Sequence, residues 1–235
     1  MEVDYRGYDV TVENFLRVLT GPCLTSTALP SCCISKIHTI IAGRHDDWVP
    51  RRKRLLSDDA SNVFVYLTGH GGDEFLKFQD QQEVTSTDIA DAFAQMAAKG
   101  RYRELLLMAD TCQAATLAND LYSPRVIALG SSALGEPSWS YLPDADVGLT
   151  VIDRFTHFTL DFLERVRPGT TSANLSLAQL LGSYSKEQLR STATPRLDLF
   201  THRPLHDVRL TDFLGSVARV QLTPGPYPGF EGRTV

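Results

Sequence analysis

Two side chains in this sequence suit covalent chemistry. His70 sits in Thr68-Gly69-His70-Gly71-Gly72 and Cys112 in Asp110-Thr111-Cys112, 42 residues apart. A cysteine thiolate attacks carbonyl carbon and an imidazole moves the protons, so the pair points to acyl transfer through a thioester. Glycines beside His70 let a substrate backbone approach closely and leave amide N–H groups free. The amides of Gly71 and Cys112 are the candidate donors to a tetrahedral oxyanion. The pattern also predicts Cys112 at the N-terminus of a short helix running to Leu121, where the helix dipole favours a thiolate. By residue type alone each has an ordinary alternative: a strand-end cysteine packs as a small hydrophobe, and a lone histidine is often a satisfied polar residue.

The flanking elements support the pairing. Asn62 to Leu67 (NVFVYL) is a β-branched and aromatic run bounded by turn-prone residues, which reads as a buried strand ending at the His70 turn. A polar loop is expected next. Ser86 and Thr87 then serve as an N-cap for a helix whose Ile89, Phe93 and Met96 follow i, i+4, i+7 spacing, and Gly100 stops it. Leu105 to Ala109 is a second buried strand leading directly into Asp110-Thr111-Cys112. Val126 to Leu129 is a third, ending in Gly130-Ser131-Ser132. Alternating strands and helices predict a parallel sheet with helices on its faces, and a βαβ crossover places His70 and Cys112 on one sheet edge. Helices are also expected over Tyr8 to Leu19, Val151 to Val166 (closed by Pro168-Gly169) and Leu175 to Leu181. Arg51 to Asp59 reads as a charged surface loop.

Composition narrows the function classes. The chain has 235 residues, 43% of them hydrophobic and 22% charged, close to the usual balance of a globular protein. Its net charge of −5 and pI of 5.7 provide no basic face for nucleic acid. No segment has the roughly 18 to 20 apolar residues of a membrane span, and the acidic N-terminus is not a signal peptide. Four cysteines, Cys23, Cys32, Cys33 and Cys112, are too few for a disulfide scaffold, and adjacent Cys32 and Cys33 do not suit one zinc ion.

With these motifs in view, the sequence resembles a known family. NVFVYLTGHGGDEFLKFQD and RYRELLLMADTCQAATL are similar to the catalytic subunits of glycosylphosphatidylinositol (GPI)-anchor transamidases, caspase-like cysteine peptidases related to legumain. The similarity extends over VDYRGYDVTVENFLRVLTG, RKRLLSDD, YSPRVIALGSSALGE, DRFTHFTLDFLE and TDFLGSV. It implies an α/β fold with a caspase-like parallel sheet flanked by helices on both faces. It implies Cys112 as nucleophile, His70 as general acid and base, and transfer of a precursor's new carboxyl end to the ethanolamine amine of the GPI lipid. By the same resemblance Asp110, Ser131, Ser132, Ser138 and Trp139 border the substrate, with helix capping and turn formation as the ordinary readings of Asp110 and the serines. Glu2 and Asp4 match an acidic stretch near a structural calcium site; no other cofactor is implied. The implied partners are the other subunits of the transamidase membrane complex, substrate proteins with a C-terminal GPI signal and the GPI lipid, on the luminal side of the endoplasmic reticulum.

The sequence also departs from that family. It begins after the family's first strand and helix, so the sheet is expected to lack them and to expose an edge or an apolar face. Residues 22–42 interrupt the family pattern and read as translated intron or a misplaced splice boundary. Pro137 stands where family members are often acidic. The chain is accordingly read as one caspase-like domain over residues 1–220 with a loose tail over 221–235. Two alternatives are a free-standing legumain-like endopeptidase and an inactive, truncated interaction subunit.

Overall fold

The β-branched run near residue 62 forms β1 (Asn62–Thr68) in the computed structural model, which describes residues 3–21, 49–166 and 174–214. Two short strands follow the His70 turn, β2 (Gly71–Gly72) and β3 (Phe75–Phe78), and then β4 (Gln82–Thr85). The second buried run is β5 (Glu104–Asp110), the third is β6 (Val126–Gly130), and β7 is Thr194–Arg196. The main sheet has the order β1-β5-β6-β7, with β1, β5 and β6 parallel and β7 antiparallel to β6. Strands β2, β3 and β4 form a separate antiparallel sheet.

Six α-helices are described: α1 (Val12–Thr20), α2 (Ser86–Ala98), α3 (Arg154–Leu163), α4 (Leu177–Ser183), α5 (Lys186–Leu189) and α6 (Thr211–Leu214). Alternation along the strands sorts the core into two layers. Val63, Val65 and Leu67, with Leu105, Leu107 and Ala109, face α1 and α2, where Ile89, Phe93 and Met96 are fully buried. Leu106, Met108, Ile127 and Leu129 point to the opposite face and meet Phe155 and Phe162 of α3 and Leu177 and Leu180 of α4. The expected α/β sheet with helices on both faces is the observed one, with an antiparallel strand at one edge.

Caps explain where the helices begin. The first turn of α2 is closed by Thr85, whose side chain accepts from Asp88 N while the Asp88 side chain accepts from Thr85 N, a reciprocal capping box one residue before the expected cap. Ser176 and Gln179 do the same for α4, moving its start from Leu175 to Leu177. Thr11 caps α1, so Tyr8 to Asp9 fall in a 3-10 turn outside that helix. Helix α3 starts at Arg154 because Asp153 is extended and bridges Ser140.

The polar loop expected after His70 is instead the β2–β4 sheet. Its strands are short and β4 buries one side chain, Val84, so no period is long enough to register. Strand β7 was equally unforeseen; it has three residues and carries Pro195, which is tolerated at a sheet edge. Among the described residues β1 forms the other edge. Its second face is half-buried: Phe64 and Tyr66, with Leu106, Met108, Leu160 and Phe213, line an apolar cavity of about 460 Å³. Residues 22–42, Pro168-Gly169, Glu2 and the tail over 221–235 lie outside the described residues.

At the amino end of β5 the Glu104 side chain is 3% exposed and accepts from His202 Nε2 at 2.7 Å and Arg203 Nε at 2.7 Å. Burial pushes its carboxyl upward, but the hydrogen bonds and charges of Arg203 and His202 outweigh burial and hold it below the ordinary carboxylate range. A depressed carboxyl stabilises the fold above its unfolded value, about 4.3, and that contribution fades as pH falls through the lower folded value. Glu104→Gln is therefore expected to cost about 2 to 3 kcal/mol at neutral pH. The difference from wild type should shrink in acid, as read by denaturant unfolding across pH. An equal difference at every pH would contradict this account.

Candidate active site

Strands β1 and β5 pair in parallel from Asn62↔Glu104 through Thr68↔Asp110. Gly69 N donates onward to Asp110 O at 3.4 Å. His70 and Cys112 thus each stand two residues beyond one paired position, on neighbouring strands about 4.8 Å apart. Both leave the carboxyl edge of the sheet, where open α/β folds gather reactive groups. Cys112 is a free, half-buried thiol and His70 is exposed. Strand register thus puts both residues at the sheet edge where a βαβ crossover is expected to place them.

The turn after His70 is fixed by the small sheet. Lys77 N donates to His70 O at 2.8 Å, which makes Gly71–Leu76 a non-hydrogen-bonded pair of the antiparallel ladder. The Gly71 N–H is thereby left outside that ladder and available to an oxyanion. Gly71 also packs where no side chain fits, since a Cβ there would lie 2.5 Å from Thr111 Oγ1 and 2.6 Å from Phe75 O. The glycine thus presses the His70 turn against the residue that precedes Cys112.

The cysteine loop is gripped from below by β6. Ser132 Oγ donates to Thr111 O at 2.7 Å and accepts from Ala114 N at 3.0 Å. Ser131 Oγ accepts from Thr111 N at 3.3 Å. Both serines are fully buried. The resemblance implied that they border the substrate; here their hydroxyls are committed to the backbone on either side of Cys112.

A helix after Cys112 was expected, but the chain makes only a 3-10 turn over Ala114–Ala118, preceded by Gln113 in the left-handed region at φ 54° and ψ 31°. Gly130 explains the close fit: a Cβ there would lie 2.4 Å from Ala115 N. Because Ser132 already engages the amides of Ala114 and Ala115, the helix-dipole argument for the thiolate has no structural basis. What the loop offers instead is a fixed kink at Gln113.

Asp110 is fully buried beneath the site. Its Oδ1 accepts from Ser138 Oγ at 2.8 Å, and its Oδ2 accepts from Thr156 N at 3.2 Å and from Thr156 Oγ1. Thr156 lies in the first turn of α3, so Asp110 caps that helix from a neighbouring strand and sits at the favourable end of its dipole. Thr156 Oγ1 also meets Tyr66 Oη, whose phenol burial pushes up to about 12. Ser138 is thus tied to Asp110, and Trp139 is 45% exposed, with the Arg190 guanidinium 5.9 Å from its ring centre.

Asp110→Asn tests this arrangement. If the carboxylate is the shared acceptor for three groups, the amide leaves buried donors unpaired and costs about 2 to 3 kcal/mol. Thermal unfolding should show a lowered Tm. An unchanged Tm would mean that Asp110 is a free pocket wall and not a buried cap.

Sequence reasoning missed Asp153. It accepts from Ser140 Oγ at 3.2 Å. Burial and the Asp110 carboxylate push its carboxyl above the ordinary range, while Ser140 and the His70 imidazole pull it back. Asp153 therefore lies within electrostatic reach of both Asp110 and His70. Its position as the N-cap of a long amphipathic pattern was the available signal, hidden because the pattern read as helical from Val151.

Among the described residues no group of three metal-ligating side chains converges, and Asp4 is exposed with Glu2 outside them. The expected calcium ligand pair thus lies partly outside the described residues. No described helix is long and apolar enough to cross a membrane.

Comparison with known proteins adds to this geometry. The model of the Peptidase C13 family matches residues 30–172. The chain is 46% identical over 223 residues to a GPI-anchor transamidase of Saccharomyces cerevisiae, covering 94% of this chain and 47% of the relative. It is 46% identical to the GPI-anchor transamidase of Homo sapiens, covering 95% of this chain and 50% of the relative. The Schizosaccharomyces pombe GPI-anchor transamidase is 41% identical, with 94% of this chain and 52% of the relative covered. The chain thus spans about half the length of the curated relatives it matches.

Proposed function

The chain belongs to the peptidase C13 family, and on that premise we propose that it supplies the catalytic centre of a GPI-anchor transamidase. The observation that carries this reading is the common offset of His70 and Cys112 from the Thr68–Asp110 pair. In this reading the shared offset puts the attacking thiol and the proton carrier at one edge of the sheet.

The reaction follows from the named atoms. Cys112 Sγ, as the thiolate, attacks the carbonyl carbon of the residue that will carry the anchor. The oxyanion is received by the N–H groups of Gly71 and Cys112. His70 donates a proton to the departing amine, the C–N bond breaks, and the C-terminal signal peptide leaves. The acyl group remains on Cys112 as a thioester. The ethanolamine amine of the GPI lipid then attacks it, His70 takes a proton from that amine, and the thiolate departs as the new amide forms. Water at the second step would yield the free acid.

Ser131 and Ser132 serve this chemistry by holding the backbone around Cys112, and Asp110 holds Ser138 and the first turn of α3. The partners in this reading are the remaining subunits of the membrane complex, precursor proteins with a C-terminal GPI signal, and the GPI lipid, at the luminal side of the endoplasmic reticulum. A structural calcium at the N-terminus, which the family resemblance implies, would be held by Glu2 and Asp4 and would take no part in the reaction.

The test is product analysis. The assembled enzyme is given a precursor with a C-terminal signal and a small primary amine, and the new C-terminus is read by mass spectrometry. The amide is the expected product. The free acid alone, at saturating amine, would replace this reading with that of a hydrolytic endopeptidase.

A further inference from the structure

Glu136 joins the cysteine loop to a distant part of the chain. Its backbone carbonyl accepts from Gln113 N at 2.9 Å, and Gln113 is the left-handed residue directly after Cys112. The next residue back tightens the same grip, because Gly135 N donates to Gln113 Oε1 at 3.1 Å. The Glu136 side chain faces the other way. Its Oε2 accepts from Thr192 N at 2.6 Å and from Ala133 N at 3.2 Å. Its Oε1 accepts from Thr192 Oγ1 at 3.0 Å and from Lys186 Nζ at 2.9 Å.

The circuit closes through the neighbouring serine. Ser191 Oγ donates to Ser131 O at 2.7 Å, and Ser131 holds Thr111. Cys112 is thus bracketed: Thr111 is held by Ser131 and Ser132, and Gln113 is held by Glu136 and Gly135. The ion pair with Lys186 adds little, since that ammonium is 67% exposed and such pairs contribute about 0 to 1 kcal/mol. The bonds to Thr192 and Ala133 carry the clamp.

We infer that Glu136 is a positioning residue for the nucleophile, fixing the kink at Gln113 and with it the direction of the Cys112 N–H and thiol. The inference rests on the reading of Cys112 as the nucleophile. Hydrogen bonds from Lys186 and then Thr192 hold the Glu136 carboxyl down at about 2, so the clamp is intact throughout the physiological pH range.

The experiment compares wild type, Glu136→Ala, Glu136→Gln and Cys112→Ala in the assembled enzyme, by steady-state kinetics and by hydrogen exchange of the peptide spanning 112–114. Glu136→Ala is expected to lower kcat by about 10²-fold with KM unchanged, the usual effect of a small misplacement of a reacting group. Exchange at 112–114 should accelerate while that of β5 and α2 does not. Glu136→Gln keeps an acceptor oxygen and should restore most of the turnover. Unchanged kcat in Glu136→Ala, or a loss matched by a general loss of protection across the core, would overturn the inference. Equal activity of Cys112→Ala and wild type would instead sink the reading of the site; the exchange at 112–114 would then decide the clamp by itself.

Discussion

Replacing Cys112 with alanine is expected to reduce turnover by about four orders of magnitude or more, with no loss of fold. Removing a nucleophile from a coupled pair costs nearly as much as removing the whole constellation. Cys112 is half-buried, and its immediate surroundings are held through the backbone of Thr111 and Gln113, so the thiol is not what keeps the loop in place. His70→Ala should fall in the same range, and the double variant should lose little beyond either single one. His70 is exposed, so the Tm of His70→Ala should match wild type. Additive losses in the double variant would mean that the two residues act in separate steps.

Gly71→Ala carries the second-largest expected effect. The added methyl would meet Thr111 Oγ1 at 2.5 Å and Phe75 O at 2.6 Å, both far inside van der Waals contact. The Phe75 carbonyl belongs to β3, paired on its other side with β4, so it does not yield cheaply. The His70 turn must move instead, taking one oxyanion donor with it. Loss of one such donor typically costs about 10²- to 10³-fold in kcat. Thr111→Ala removes the hydroxyl and leaves the Phe75 clash, so combining the two should rescue only part of the loss. Full activity in Gly71→Ala would exclude the Gly71 amide as a donor.

Most of the site was legible because its signals were local. The runs NVFVYL and LLLMA each stop three residues before a chemically capable side chain, His70 or Cys112, and a βαβ unit leaves little freedom in where those ends lie. The helix through Ile89, Phe93 and Met96 was clear because all three positions are buried. Besides β7 and Asp153, three features were not legible. The β2–β4 sheet depends on pairing between strands of two to four residues. The kink at Gln113 places a left-handed glutamine where propensity favours a helix. The burial of Ser131 and Ser132 depends on Gly130 packing tightly on the Ala114–Ala115 backbone. In each case tertiary contacts overrode local preference.

The central claim is that Cys112 carries the acyl group between cleavage and transfer. The most direct measurement is an acid quench of the enzyme during turnover of a precursor peptide, followed by peptide mapping by mass spectrometry. The account predicts an added mass equal to the acyl fragment on the peptide containing Cys112. It should disappear on brief treatment with hydroxylamine and should not form in Cys112→Ala. An adduct on any other residue, or undiminished product from Cys112→Ala, would contradict it.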